Sequence, residues 1–341
     1  MMKKLISFIF LFMLVGGGYL YYLAGIQNQL PASDEPLMLE VTEGSDYASV
    51  METLASLGIA PSRWLFDPLA KRMNFKREPM RSGRFELPES ASMIGLIRHL
   101  RSAGQATVAV VLNNEREPKD VAGKIAKVLA PDSMAFVSAF DDEALLAELG
   151  LTRQTLQTIF IPNTYELYWD TSPRQFLERM QTEHEKFWSQ NERKNRADAK
   201  GLLPAEVYTL ASIVEKESLL AEERPRIAGL YLNRLEQGIL LQADPTVVFA
   251  NRIFDVGRVL FRHLEIDSPY NTYKYAGLPP GPIAMASPGS IDAVLDPENH
   301  DYLYMCAVGD GSGKHNFAKT SAGHARNIRV YQENLRARGI R

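Results

Sequence analysis

A single cysteine, Cys306, rules out an internal disulfide framework and any multi-cysteine metal centre in this chain of 341 residues. It sits in the apolar run Tyr302-Leu303-Tyr304-Met305-Cys306-Ala307-Val308, which predicts a buried strand residue. An excess of one charge is missing too. The 38 basic and 41 acidic residues are mixed along most of the chain, so there is no electrostatic footprint for nucleic acid and none is expected as a partner. The six histidines form no His-Glu-x-x-His pair, which leaves a zinc hydrolase with little support, and no Gly-x-Ser-x-Gly elbow marks a serine hydrolase. Gly309-Asp310-Gly311-Ser312-Gly313-Lys314-His315 has too few residues between its first glycine and the Gly-Lys pair for a phosphate loop, and no Ser or Thr follows the lysine. It reads as a hairpin turn. No cofactor and no metal are expected.

What is present begins at the N-terminus, where Lys3 and Lys4 precede Leu5 to Ile26, a stretch without a charge. At about 1.5 Å per helical residue it is long enough to cross the roughly 30 Å hydrocarbon core of a bilayer. A cleaved signal peptide would have a shorter apolar core and a small-x-small site, and no clear site follows. The lysines before the span keep residues 1–4 in the cytoplasm and export everything after it; Tyr19, Tyr21 and Tyr22 suit the outer interface. The substrate is then expected outside the cytoplasmic membrane, where ATP and nicotinamide cofactors are scarce.

Residues 27–36 (QNQLPASDEP) read as a linker. A small α+β module at 37–112 follows: strands at Met38–Val41, Arg84–Leu87 and Ala106–Leu112, helices at Tyr47–Leu57, Ser62–Arg72 and Ser92–Leu100. From Glu117 the pattern is helical, with helices predicted at 121–129, 142–149, 173–187, 204–218 and 224–237. The charged stretch Asn191–Lys200 reads as a solvated loop or helix end. The last hundred residues are rich in proline and glycine, with a strand at Leu303–Val308. The fold class expected is α+β, with a mainly helical catalytic domain at 113–341 and strands near its C-terminus.

The helix from Pro204 carries two glutamates, Glu215 and Glu217. At about 100° per residue, Val207, Leu210, Ala211, Val214 and Ser218 form one stripe, with Glu217 inside its edge and Glu215 near its opposite boundary. A carboxyl partly inside an apolar groove has its charged form disfavoured, so it can donate a proton near neutral pH. Glycosidic cleavage needs such an acid. The two glutamates cannot be a facing carboxylate pair, because residues two apart on a helix point apart; Asp244 remains a distant second carboxylate for a hydrolase.

At Ser212-Ile213-Val214-Glu215-Lys216-Glu217-Ser218 the sequence resembles the segment around the catalytic glutamate of the endolytic murein transglycosylases, the MltG or YceG-like family, and Glu217-Ser218 resembles the Glu-Ser pair of lysozyme-like lytic transglycosylases. The resemblance continues in order through Pro162-Asn163-Thr164-Tyr165-Glu166, Gln242-Ala243-Asp244-Pro245-Thr246-Val247, Tyr270-Asn271-Thr272-Tyr273, Gly277-Leu278-Pro279-Pro280-Gly281-Pro282-Ile283 and His315-Asn316-Phe317 with Thr320 and His324. Asn163 departs from the aspartate usual in the family.

The resemblance implies a LysM-like module, a lysozyme-like catalytic domain, and a place in the bacterial inner membrane. The activity implied is non-hydrolytic cleavage between N-acetylmuramic acid and N-acetylglucosamine within peptidoglycan strands, leaving 1,6-anhydro ends and terminating nascent strands. Glu217 would be the catalytic acid and base. Glu215, Ser218, Asp244, Thr246, Tyr270, Asn271, Tyr273, His315 and Phe317 would bind substrate or support the site. Partners implied are peptidoglycan strands, the cytoplasmic membrane, and penicillin-binding proteins or other cell-wall synthases. A non-catalytic peptidoglycan-binding scaffold and a water-using muramidase stay open as alternatives.

Overall fold

A computed structural model describes residues 2–26, 28–31, 35–255 and 259–340. The first element, α1 (Met2–Gly25), contains a 20-residue span, Ile6–Gly25, whose mean hydropathy of 1.8 makes it the one helix among the described residues long and apolar enough to cross a membrane. That span carries no charge, and a helix satisfies all of its backbone groups internally. Of the expected linker, Gln27 and residues 32–34 lie outside the described residues, while Asn28–Gln29 is a short strand, β1.

The chain forms two units. One comprises Met1–Ala109 with Val128–Pro131 and Glu166–Thr171; the other comprises Val110–Lys127, Asp132–Tyr165 and Ser172–Arg341. After α1 and β1 the first unit continues through β2 (Met38–Val41), α2 (Tyr47–Ser56), α3 (Arg63–Arg72), β3 (Gly83–Glu86), β4 (Ser90–Ala91) and α4 (Met93–Ser102). Strands β2 and β3 pair antiparallel with Leu39 opposite Phe85, both buried, and Glu40 opposite Arg84 on the wet face. This is the period-two alternation the sequence carries. Helix α2 starts where the Asp46 side chain accepts the Ser49 amide, and its Tyr47, Val50, Met51 and Leu54 close the core with Phe66, Leu96 and Ile97.

Strand β5 (Thr107–Leu112) pairs with β6 (Asn163–Tyr168). Read as an apolar run, β5 in fact alternates, burying Val108, Val110 and Leu112 only. The helices α5 (Pro118–Ile125), α6 (Ser133–Phe140), α7 (Glu143–Glu148) and α8 (Pro173–Ser189) follow. Phe136 and Phe140, one turn apart on α6, meet Phe160 and Phe176 with ring centres 5.7–6.3 Å apart.

Next comes α9 (Arg193–Asp198), where a solvated stretch was expected. Arg193 is instead buried: its guanidinium makes two bonds to Asp292, at 2.9 and 3.0 Å, and covers the Phe187 ring. A run of charges in sequence can hide one that is paired at long range.

The centre of the second unit is α10 (Pro204–Glu217). Pro204 opens it and Glu206 reaches back to the Leu203 amide. Every residue from Val207 to Val214 is buried, so α10 is a core helix and not one with a single apolar stripe. Its polar members are satisfied internally. The Tyr208 hydroxyl donates to Phe160 O and accepts from the Ala286 amide, and Ser212 Oγ donates to Thr209 O and accepts from the Ile283 amide. Around it lie α11 (Arg224–Glu236), α12 (Asp244–Asn251) and α13 (Pro288–Leu295), followed by the hairpin β7 (Tyr304–Ala307)–β8 (His315–Ala318) and α14 (Ser321–Ala337). The glycine-rich Gly309–His315 segment is the turn of that hairpin, with Gly309, Gly311 and Gly313 at positive φ.

Candidate active site

Glu217 is the last residue of α10. The helix stops at Ser218, whose backbone is extended (φ −136°, ψ 133°). Ser218 is buried, and its Oγ accepts the Leu220 amide and lies 3.4 Å from the Glu223 carboxylate, so it fixes the turn that ends the helix. Two cavities share Glu217 and Asp244 in their walls. One, of about 390 Å³, is completed by Arg116, Lys216, Pro245, Val248, Phe249, Phe254, Val259 and Ile283. The other, of about 470 Å³, is completed by Tyr231 and Arg234 of α11, Leu241 and Gln242, Tyr273 of the loop before α13, His315 of the β7–β8 hairpin and His324 of α14. A carboxyl group therefore stands at the junction of two spaces, each large enough for part of an oligosaccharide.

Oε2 of Glu217 is inaccessible and has no hydrogen-bond partner among the described residues. Burial pushes this carboxyl up to about 7 and the negative charge of Asp244 adds to the effect, while the Tyr231 hydroxyl and the Arg234 charge act in the opposite direction. The carbonyl-rich C-terminal end of α10 disfavours the carboxylate further. The result is an acid that keeps its proton to near neutral pH, with one oxygen free of partners among the described residues.

Asp244 opens α12, and the Tyr273 hydroxyl donates to its Oδ1 at 2.5 Å. Beneath the pair, the Arg234 guanidinium donates to the carbonyls of Leu303, Leu240 and Leu241, tying the hairpin to the 240–242 turn. Thr246 and Thr272, both fully buried, bond to each other at 2.8 Å, and Thr272 accepts the Ala243 amide. These bonds set the position of Asp244 relative to the helix end.

The expected supporting residues divide. Asp244, Tyr273 and His315 line the cavities with Glu217. Glu215 does not: its carboxylate accepts from Arg224 (3.0 Å), from the Ser287 hydroxyl (2.5 Å) and from the Ser290 hydroxyl (2.6 Å), which locks α10 to α13. Burial alone would raise its pKa, but those two serines and the Arg224 charge hold it below the usual glutamate value. Thr246 is buried in the bonds just described. Asn271 is wholly buried, its amide donating to Leu264 O and Ile266 O, so it staples a loop and offers no atom to a sugar. Tyr270 packs its ring 4.8 Å from Phe249, and Phe317 stacks against Tyr302, 5.6 Å between ring centres, outside both cavity walls. Cys306, expected to be buried, is half-buried on β7 and faces the larger cavity.

Several residues of the site were not singled out from sequence: Tyr231, Arg234, Glu223, Arg116 and Lys216. Glu223, almost fully buried, accepts both the His315 amide and the His315 Nδ1–H at 2.9 Å, which fixes the imidazole beside the larger cavity. Arg234 falls at the three- and four-residue spacing of Ile227, Leu230 and Tyr231 on α11, and a charge on that apolar face was the available signal.

The YceG-like family model matches residues 39–330, and the chain belongs to the YceG-like family. A Bacillus subtilis (strain 168) protein named endolytic murein transglycosylase is 27% identical over 318 residues, 88% of this chain and 86% of its own length. A Streptococcus pneumoniae (serotype 2, strain D39) protein of the same name is 26% identical over 95% of this chain, which spans 64% of that longer relative. The crystal structure of a YceG-like protein from Listeria monocytogenes superposes with a TM-score of 0.57 at 25% identity, covering 86% of this chain and 99% of that one.

Proposed function

We propose that Glu217 is the single acid and base of an endolytic murein transglycosylase. The chain cleaves the bond between N-acetylmuramic acid and N-acetylglucosamine within glycan strands and leaves 1,6-anhydro ends. The observation that carries the assignment is the state of Glu217: a carboxyl with an unpartnered oxygen, protonated to about pH 7, at the junction of two cavities.

The protonated carboxyl gives its proton to the glycosidic oxygen as the bond from the muramoyl anomeric carbon breaks, and the N-acetylglucosamine side leaves as an alcohol. The carboxylate so formed takes the proton of the muramoyl 6-hydroxyl while that oxygen closes on the anomeric carbon. The sugar supplies the nucleophile, protons balance, and Glu217 ends as it began. Two cavities meeting at the acid suit an enzyme that grips a strand on both sides of the cut. The engagement of Asp244 by Tyr273 favours this route over a muramidase in which Asp244 would activate water.

The first unit serves as the LysM-like glycan-associated module and the second as the lysozyme-like catalytic domain. The apolar α1 anchors the protein in the bacterial inner membrane with its N-terminus in the cytoplasm, so that the site meets murein near its synthases. The reading is tested with the full chain in detergent and isolated murein. Wild type should release fragments with anhydro-muramoyl ends, and Glu217→Gln should lose at least about 100-fold in rate. Undiminished cleavage by Glu217→Gln sinks the assignment.

A further inference from the structure

The smaller cavity holds positive charge that glycosidic cleavage does not use. Arg116, in the turn between β5 and α5, and Lys216, one residue before Glu217, both line it. Among the described residues neither makes an ion pair or a hydrogen bond; the Arg116 guanidinium lies 4.1 Å over the centre of the Phe254 ring. In the adjoining cavity Arg234, by contrast, is engaged with three carbonyls. Of the two carboxyl groups in the same cavity as Arg116 and Lys216, Asp244 is bonded to Tyr273 and Glu217 keeps its proton to about pH 7, so neither neutralises the pair. Lys216 is solvent-exposed as a residue, yet partial desolvation of its ammonium and the Arg116 charge both push it toward its neutral form, against the pull of Glu215. Two like charges held together on the wall of a partly apolar cavity (Val248, Phe249, Phe254, Val259, Ile283) are an unfavourable arrangement that a bound anion would relieve.

Resting on the murein-cleaving reading above, we infer that Arg116 and Lys216 bind a carboxylate of the peptide stem carried by the muramoyl residue seated in this cavity, which makes the enzyme selective for strands bearing charged stems. The sugar backbone of such a strand is uncharged, whereas its peptide stem carries carboxylates. A guanidinium and an ammonium together suit a carboxylate.

The test compares the full chain in detergent on native strands and on the same strands whose stem carboxylates have been coupled to methylamine, which keeps their bulk and removes the charge. Wild type should show kcat/KM on native strands about tenfold above that on coupled strands, the effect of losing a charge-assisted contact. The ratio should fall as salt rises. In the double variant Arg116→Gln, Lys216→Gln it should approach one. Arg116→Lys, which keeps the charge, should hold most of the preference and so separates lost charge from lost structure. Equal rates on the two substrates by wild type, or an unchanged ratio in the double variant, overturn the inference while leaving the transglycosylase reading intact. Failure of wild type to cut either substrate overturns that reading itself.

Discussion

Replacing Glu217 by glutamine should stabilise the protein at neutral and alkaline pH even as it abolishes cleavage. Glu217 ionises near 7 in the folded chain and near 4.5 when unperturbed. At about 1.4 kcal/mol per pH unit that difference is worth about 3 kcal/mol, and water in the cavities screens part of it, leaving about 2–3 kcal/mol. The folded state holds this proton more tightly than the unfolded state. The group's contribution is therefore fully present below about pH 4.5 and is lost as pH rises through about 7. Glutamine has no proton to lose. The stability of Glu217→Gln minus that of wild type should therefore grow by about 2–3 kcal/mol between pH 4.5 and pH 8. For a unit of this size the gap in melting temperature widens by about 5–10 °C. Thermal unfolding of both full-length proteins in the same detergent, followed by circular dichroism across that range, measures it. Curves that run parallel at all pH values would refute the claim that burial and Asp244 hold Glu217 protonated.

Asp244→Asn removes the second cause of the raised pKa, so Glu217 should ionise earlier and the alkaline limb of the kcat/KM profile should move acidward by about half to one pH unit; an unmoved limb contradicts the coupling. Glu215→Gln leaves Arg224 without its charge partner and weakens the bonds to Ser287 and Ser290, so urea unfolding should show a loss of about 2–4 kcal/mol with the alkaline limb unmoved. Gly281→Ala would place a Cβ 2.0 Å from Gln154 O, and the loop must shift to admit it; a loss of about 1–3 kcal/mol is expected in the same assay, and a silent substitution would show that the backbone yields freely.

The contrast between Glu215 and Glu217 shows where the sequence was legible. A helical projection placed both near an apolar stripe, and the resemblance selected Glu217. What separates them physically is long range: Glu215 meets Ser287 and Ser290, 72 and 75 positions away at the start of α13, while Oε2 of Glu217 meets no partner among the described residues. Periodicity carries no information about such partners. It also misjudged α10, because a helix enclosed on all sides tolerates Thr209 and Ser212 when their hydroxyls bond within the helix, and these look like a polar face in a projection.

Strands β2 and β3 and helices α2, α3 and α4 were predicted within a residue or two, since alternation and caps such as Asp46 and Ser92 are local. The short helices α12 and α13 were not predicted in the proline- and glycine-rich last hundred residues. In both, proline occupies the first helical turn, where its missing amide costs nothing. Arg234 and Glu223 act through backbone atoms of the β7–β8 hairpin and the loop before it, positions no local pattern predicts.

Whether water enters the product separates transglycosylase from muramidase most directly. Full-length protein should be incubated with intact murein in water enriched in heavy oxygen, and the new strand ends identified by mass. Wild type should give anhydro-muramoyl ends without label, and Glu217→Gln no new ends. Reducing muramoyl ends carrying the heavy oxygen would contradict the transglycosylase reading.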